Sequence, residues 1–72
     1  MDRTMQTVYD IISRHTSDLS IKFHCNGGDY NALIIEFEDN YTMLSLKRCV
    51  SQLDMAFIPE ILLSMEEQFY NK

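Results

Sequence analysis

Residues 32–46 read ALIIEFEDNYTMLSL. Leu33, Ile35 and Phe37 share one parity, and Ala32, Ile34, Glu36 and Glu38 share the other. Successive side chains of an extended chain point to opposite faces, so this alternation predicts a strand with one buried face. Asp39 and Asn40 break the run with residues that favour turns, and YTMLSL resumes it as a further strand. A two-residue turn at Asp39-Asn40 pairs Phe37 with Thr42, Ile35 with Leu44 and Leu33 with Leu46. That register keeps the large apolar residues together.

Upstream lies DLSIKFHC, residues 18–25, where Leu19, Ile21, Phe23 and Cys25 alternate with Ser20, Lys22 and His24. The intervening NGG sets the pairing. A two-residue turn at Gly27-Gly28 would oppose Lys22 to Leu33 and mix charge into the apolar face. A three-residue loop, Asn26-Gly27-Gly28, pairs Ile21 with Leu33 and Leu19 with Ile35, with Gly28 in the left-handed bulge position. The three strands then form an antiparallel meander.

The flanks read as helices. From Thr4 to His15, apolar residues fall at Met5, Val8, Tyr9 and Ile12, one face of a helix. Asp2 or Thr4 can cap its start, and Thr16-Ser17-Asp18 ends it. After the meander, KRCVSQLDMAF (residues 47–57) places Val50, Leu53 and Phe57 at the spacing of a short helix or helical turns. Pro59 suits the first turn of a new helix. Ile58, Ile61, Leu62, Met65 and Phe69 form its apolar stripe, with Glu60, Glu66 and Glu67 outside it. The expected architecture is α+β: an N-terminal helix, a three-stranded antiparallel meander, and one or two C-terminal helices, packed on the Leu33–Ile35–Phe37 face.

Bulk properties agree with one small domain spanning residues 1–72. No apolar run approaches the roughly 18 residues of a membrane span. The opening MDRTMQTVYD lacks the pattern of a secretory signal, so the expected location is the cytoplasm, the host cell's if the chain is phage-encoded. The formal net charge is −5. Residues 29–40 carry Asp29, Glu36, Glu38 and Asp39 with no base, and residues 50–71 carry Asp54, Glu60, Glu66 and Glu67 with no base. Such a chain suits a basic protein surface better than a phosphate backbone, so no direct nucleic-acid binding is expected.

Chemistry-bearing patterns are sparse. His24 and Cys25 are strand neighbours and point to opposite faces, which separates a thiol from its base. His15, His24, Cys25 and Cys49 lack the spacings of a zinc site. Cys25 reads as a largely buried free thiol at a strand end. Glu36 and Glu38 have no pocket or partner constellation for acid–base work. No enzyme, cofactor or metal is therefore expected.

The informative surface is the outer face of the sheet. In the register above, Glu38 stands opposite Tyr41 and Glu36 opposite Met43. The face is too apolar for ordinary solvated sheet and too acidic for core. Ile34, Glu36, Glu38, Asp39, Tyr41 and Met43 are the candidate partner contacts, aromatic and Met anchors among carboxylates. The alternatives are scattered apolar surface, a covering helix, or pairing of two copies through this face.

The N-terminal helix, the central ALIIEFEDNYTMLSL meander and the acidic C-terminal helix together resemble small acidic phage-encoded inhibitors of the anti-CRISPR type. The likeness covers most of the chain as architecture and charge, and it assigns no residue a role. It implies a protein that occupies the DNA-binding groove of a Cas nuclease. The expectation is thus a small non-enzymatic binding module, monomeric or homodimeric. It would be a phage or mobile-element inhibitor that occupies a basic, nucleic-acid-binding type of surface on a larger bacterial protein. The alternative is a homodimeric or structural small subunit assembled through the outer sheet face.

Overall fold

The computed structural model describes residues 2–15, 17–26 and 29–70. Helix α1 (Arg3–Arg14) is followed by β1 (Leu19–Asn26), β2 (Asp29–Asp39) and β3 (Leu44–Ser51). A 3₁₀ segment, Gln52–Phe57, runs directly into α2 (Ile58–Tyr70). The strands form one antiparallel sheet in the order β1-β2-β3, so the α+β meander expected from sequence is the fold.

Helix α1 starts where Asp2 caps it: its carboxylate accepts the Met5 N–H at 2.9 Å. Its buried residues are Val8 and Ile11, while Met5 and Tyr9 are exposed. Of the expected face, Val8 is buried and Ile12 packs against the core, but the helix is rotated away from Met5 and Tyr9, toward half-buried Thr4, Thr7 and His15. Polar side chains hid this face in the sequence. Thr7 can sit there because its hydroxyl donates to the Arg3 carbonyl at 2.7 Å, which satisfies it within the helix.

Both hairpins are offset from the expected registers. In the first, Ile21 pairs with Phe37 rather than Leu33, and Leu19 with Asp39 rather than Ile35. In the second, Phe37 pairs with Leu46, Ile35 with Arg48 and Leu33 with Val50. Each offset is four residues, Leu33 to Phe37 and Thr42 to Leu46. An even offset leaves every residue on its predicted face. What it changes is the neighbours. In the first hairpin Lys22 now stands opposite Glu36 and reaches Glu38 one row along, at 3.4 Å, which matches a charge that the expected register leaves opposite Ala32. The register shifts between Cys25 and Asn26, and Asn26 pairs with Asp29. The predicted bulge at Gly28 lies outside the described residues.

In the second hairpin the loop is Asn40–Met43, not Asp39-Asn40, and Asp39 is the reason. Its carboxylate Oδ1 accepts the N–H groups of Tyr41 at 2.8 Å and Thr42 at 3.2 Å. Its carbonyl accepts the Met43 N–H at 2.8 Å. This wraps the chain into a wider turn with Met43 at φ 62°, the left-handed region. Tyr41 and Met43 therefore lie in the turn, and β3 extends instead through Lys47–Ser51. Val50, expected on a helix, is a buried strand residue.

One core lies between the sheet and the two helices. It comprises Val8, Ile11, Leu19, Ile35, Phe37, Val50, Leu62, Met65 and Phe69. The Phe37 and Phe69 rings meet edge to face at 5.9 Å. Pro59 occupies the first turn of α2, as expected. The helices run side by side in the same direction. Arg3 bonds Glu60 near their starts, and Arg14 bonds Glu66 near their ends. Glu66 is thus an inter-helix residue with a largely covered side chain, not a solvated one outside the stripe.

Candidate interaction surface

Among the described residues no helix lies on the outer sheet face; both helices bury their apolar residues in the core on the other side. Its cross-strand rows are Ser20–Glu38–Ser45, Lys22–Glu36–Lys47 and His24–Ile34–Cys49. The carboxylates engage basic side chains of the same sheet. His24 Nε2 lies 3.0 Å from Glu36 Oε1, and Lys22 Nζ lies 3.4 Å from Glu38 Oε1. Glu36 is only 12% exposed, held among these neighbours, and Ile34 is half-buried. The face is therefore mostly polar, with its carboxylates engaged, and lacks the Tyr and Met anchors expected on it.

Those anchors sit at one end of the molecule. Tyr41 is 80% exposed and Met43 83%, and Leu44, absent from the predicted site, is exposed beside them. The turn that holds them is braced twice. Asp39, itself buried, gathers its backbone N–H groups, and the Asn40 N–H donates to the Asp18 carbonyl at 3.1 Å. The second bond ties the turn to the loop after α1.

The adjacent helix ends carry a polar network. Arg14 donates to Glu66 through Nε at 3.0 Å and Nη2 at 2.9 Å, a two-point fork on one carboxylate. His15 Nε2 lies 2.7 Å from Glu66 Oε2, and the His15 ring stacks on Tyr70 with centroids 3.8 Å apart. The Arg14 hydrogen bond, helped by that of His15, holds the Glu66 carboxyl below its ordinary value despite partial burial. The same bond raises Arg14. Burial raises the Tyr70 hydroxyl, and the nearby carboxylates of Asp39 and Glu66 add to it.

The six predicted contacts thus separate into two places. Ile34, Glu36 and Glu38 belong to the outer face, while Tyr41 and Met43 project from the turn that Asp39 organises. The loop length separates them, and sequence parity alone carries no information on it. Cys25, expected to be largely buried, is an exposed free thiol, as is Cys49. The Cys25 position belongs to the inner face but lies at the sheet's end, and it is exposed where the core strand residues Ile35, Phe37 and Val50 are buried. Among the described residues no three His, Cys, Asp or Glu gather as a metal site, and no helix is long and apolar enough to cross a membrane. No protein-family model, curated protein sequence or solved structure matches the chain.

Proposed function

We propose that the protein is a small non-enzymatic binding module, an inhibitor of phage or mobile-element type that occupies a basic surface of a larger bacterial protein. The observation that carries this reading is the Asn40–Met43 turn. It holds Tyr41 and Met43 almost fully in solvent on a backbone fixed from below by a buried carboxylate. Large side chains on a pre-ordered support lose little freedom on binding, which is what an interface anchor needs. The net charge of −5 supports a basic partner through long-range attraction. Glu38, half-covered beside the turn, joins the contact at its rim, where charge sets rate and salt dependence more than affinity.

The test is capture from native host lysate with the wild-type protein and with the double variant Tyr41→Ala, Met43→Ala, each eluted by a salt gradient. A single stoichiometric partner released at moderate salt is expected, because exposed charge contacts are screened. Loss of the two anchors should cost about 2 kcal/mol, roughly 30-fold in affinity, with the fold retained. Equal recovery by a folded variant would show that the turn is not the contact.

A second reading, a homodimeric or structural small subunit assembled through the outer sheet face, is favoured by that face's lack of a covering helix. Sedimentation across a concentration series separates the two. Association abolished by Ile34→Lys but untouched by the turn variant would favour the second.

A further inference from the structure

Strand β3 is an edge of the sheet, and among the described residues nothing pairs with its outer side. It is eight residues long and mostly exposed along its length. Such an edge offers unpaired backbone N–H and C=O groups to another extended chain. Near its centre stand Lys47 and Arg48, both exposed. The other described cations, Arg3, Arg14 and Lys22, each bond a carboxylate. Lys47 and Arg48 make no ion pair among the described residues, although the chain as a whole is acidic. As strand neighbours they project to opposite faces of the sheet, Lys47 in the row of Glu36 and Arg48 in the row of Ile35.

We infer that the β3 edge takes up an extended acidic segment of a protein partner as an added strand, with two consecutive acidic residues set against Lys47 and Arg48. The consecutive spacing follows from the pleat. Neighbouring residues on the incoming strand place one carboxylate on each face directly beside Lys47 and Arg48, and this holds for either strand direction. Acids separated by one residue would both fall on the same face and leave one cation unmatched.

The same two cations speak against a second copy as the occupant. A two-fold pairing of β3 with β3 that keeps both helical layers on one side must be centred on a residue pair. The two such pairings nearest to full overlap of the eight residues Leu44–Ser51, each one residue short of it, set Lys47 against Lys47 or Arg48 against Arg48. Like charges directly opposite one another destabilise a strand pair. The inference is independent of the turn reading, since it uses no residue of Asn40–Met43 and needs a partner of opposite charge.

The experiment uses the whole chain and labelled synthetic peptides of alternating valine and threonine. Each peptide carries two glutamates, either consecutive at the centre or separated by one residue. Fluorescence anisotropy should show the consecutive form binding about tenfold more tightly, a typical penalty for one unmatched close charge. Backbone amide resonances of residues 44–51 should shift, and those facing the edge should exchange more slowly. N-methylation of alternate peptide residues should abolish binding for one of the two alternating sets and spare the other, because only one set faces β3. Lys47→Glu with Arg48→Glu should lower affinity for the consecutive form by about tenfold or more. Equal affinity for both spacings, equal tolerance of both N-methyl sets, or resonance changes centred on β1 or the helices would each overturn the inference. So would a peptide-free dimer whose β3 amides are already protected.

Discussion

Asp39 shows how much one side chain can decide. It is buried, yet its carboxylate is satisfied by backbone N–H groups of the turn it starts. Asp39→Ala would leave those donors without a partner and should cost about 1–3 kcal/mol by urea denaturation. Asp39→Asn, whose amide oxygen can still accept, should cost clearly less. Met43 pays a backbone strain at φ 62° that glycine would not. Met43→Gly should therefore raise stability by up to about 1 kcal/mol, while removing an anchor and weakening the proposed contact. Opposite signs for stability and binding are the outcome to look for. Glu66 supplies a pH dependence. Its folded carboxyl binds a proton less readily than the unfolded one, so its contribution is complete above the ordinary value of 4.5 and is lost as pH falls through the lower folded value. Urea midpoints measured from neutral pH to below pH 4.5 should fall less steeply with acidification in Glu66→Gln than in the wild type.

At the scale of elements, which residues face inward was legible and which residues face each other was not. Leu33, Ile35 and Phe37 alternate cleanly, so their face was plain from the sequence. The pairing was not, because an offset of four residues preserves every face and leaves the apolar pattern indifferent. Local chemistry settles it instead: the Asp39 turn in one hairpin, the Lys22–Glu36 row in the other. Strand β3 was misread for a related reason. Arg48 interrupts the inner row between Leu46 and Val50, which broke the alternation and let Val50 pass as helical. The rotation of α1 was hidden by Thr4, Thr7 and His15, polar residues on the packed side. That rotation is open to test. Ile11, 0% exposed, should cost about 2–5 kcal/mol when cut to alanine, and Met5→Ala under about 1 kcal/mol, by chemical denaturation. The expected grouping of the contacts on one sheet face came apart at the same point as the register, since moving the turn by two residues took Tyr41 and Met43 out of the sheet.

For the molecule as a whole, a chain of 72 residues buries a modest share of its surface, and its margin is thin. Such a protein is exposed to edge-to-edge association, and the charges on β3 guard against it. Replacing Lys47 by Thr and Arg48 by Val should let the protein self-associate at lower concentration than the wild type, as read by analytical ultracentrifugation. Unchanged sedimentation would mean that the edge is protected by something other than these charges. The shared direction of α1 and α2 has a different consequence. Peptide dipoles sum along each helix, leaving partial negative charge at its C-terminus, and here both C-termini lie at the end where the Asn40–Met43 turn projects. In α2 no basic residue in the last turn offsets this. In α1 the Arg14 side chain of the last turn offsets part of it, so the uncompensated share of this partial charge belongs to α2. The backbone carbonyls at the end of α2 thus lend the turn's end of the molecule a fixed preference for cationic neighbours that no change of side-chain protonation can remove.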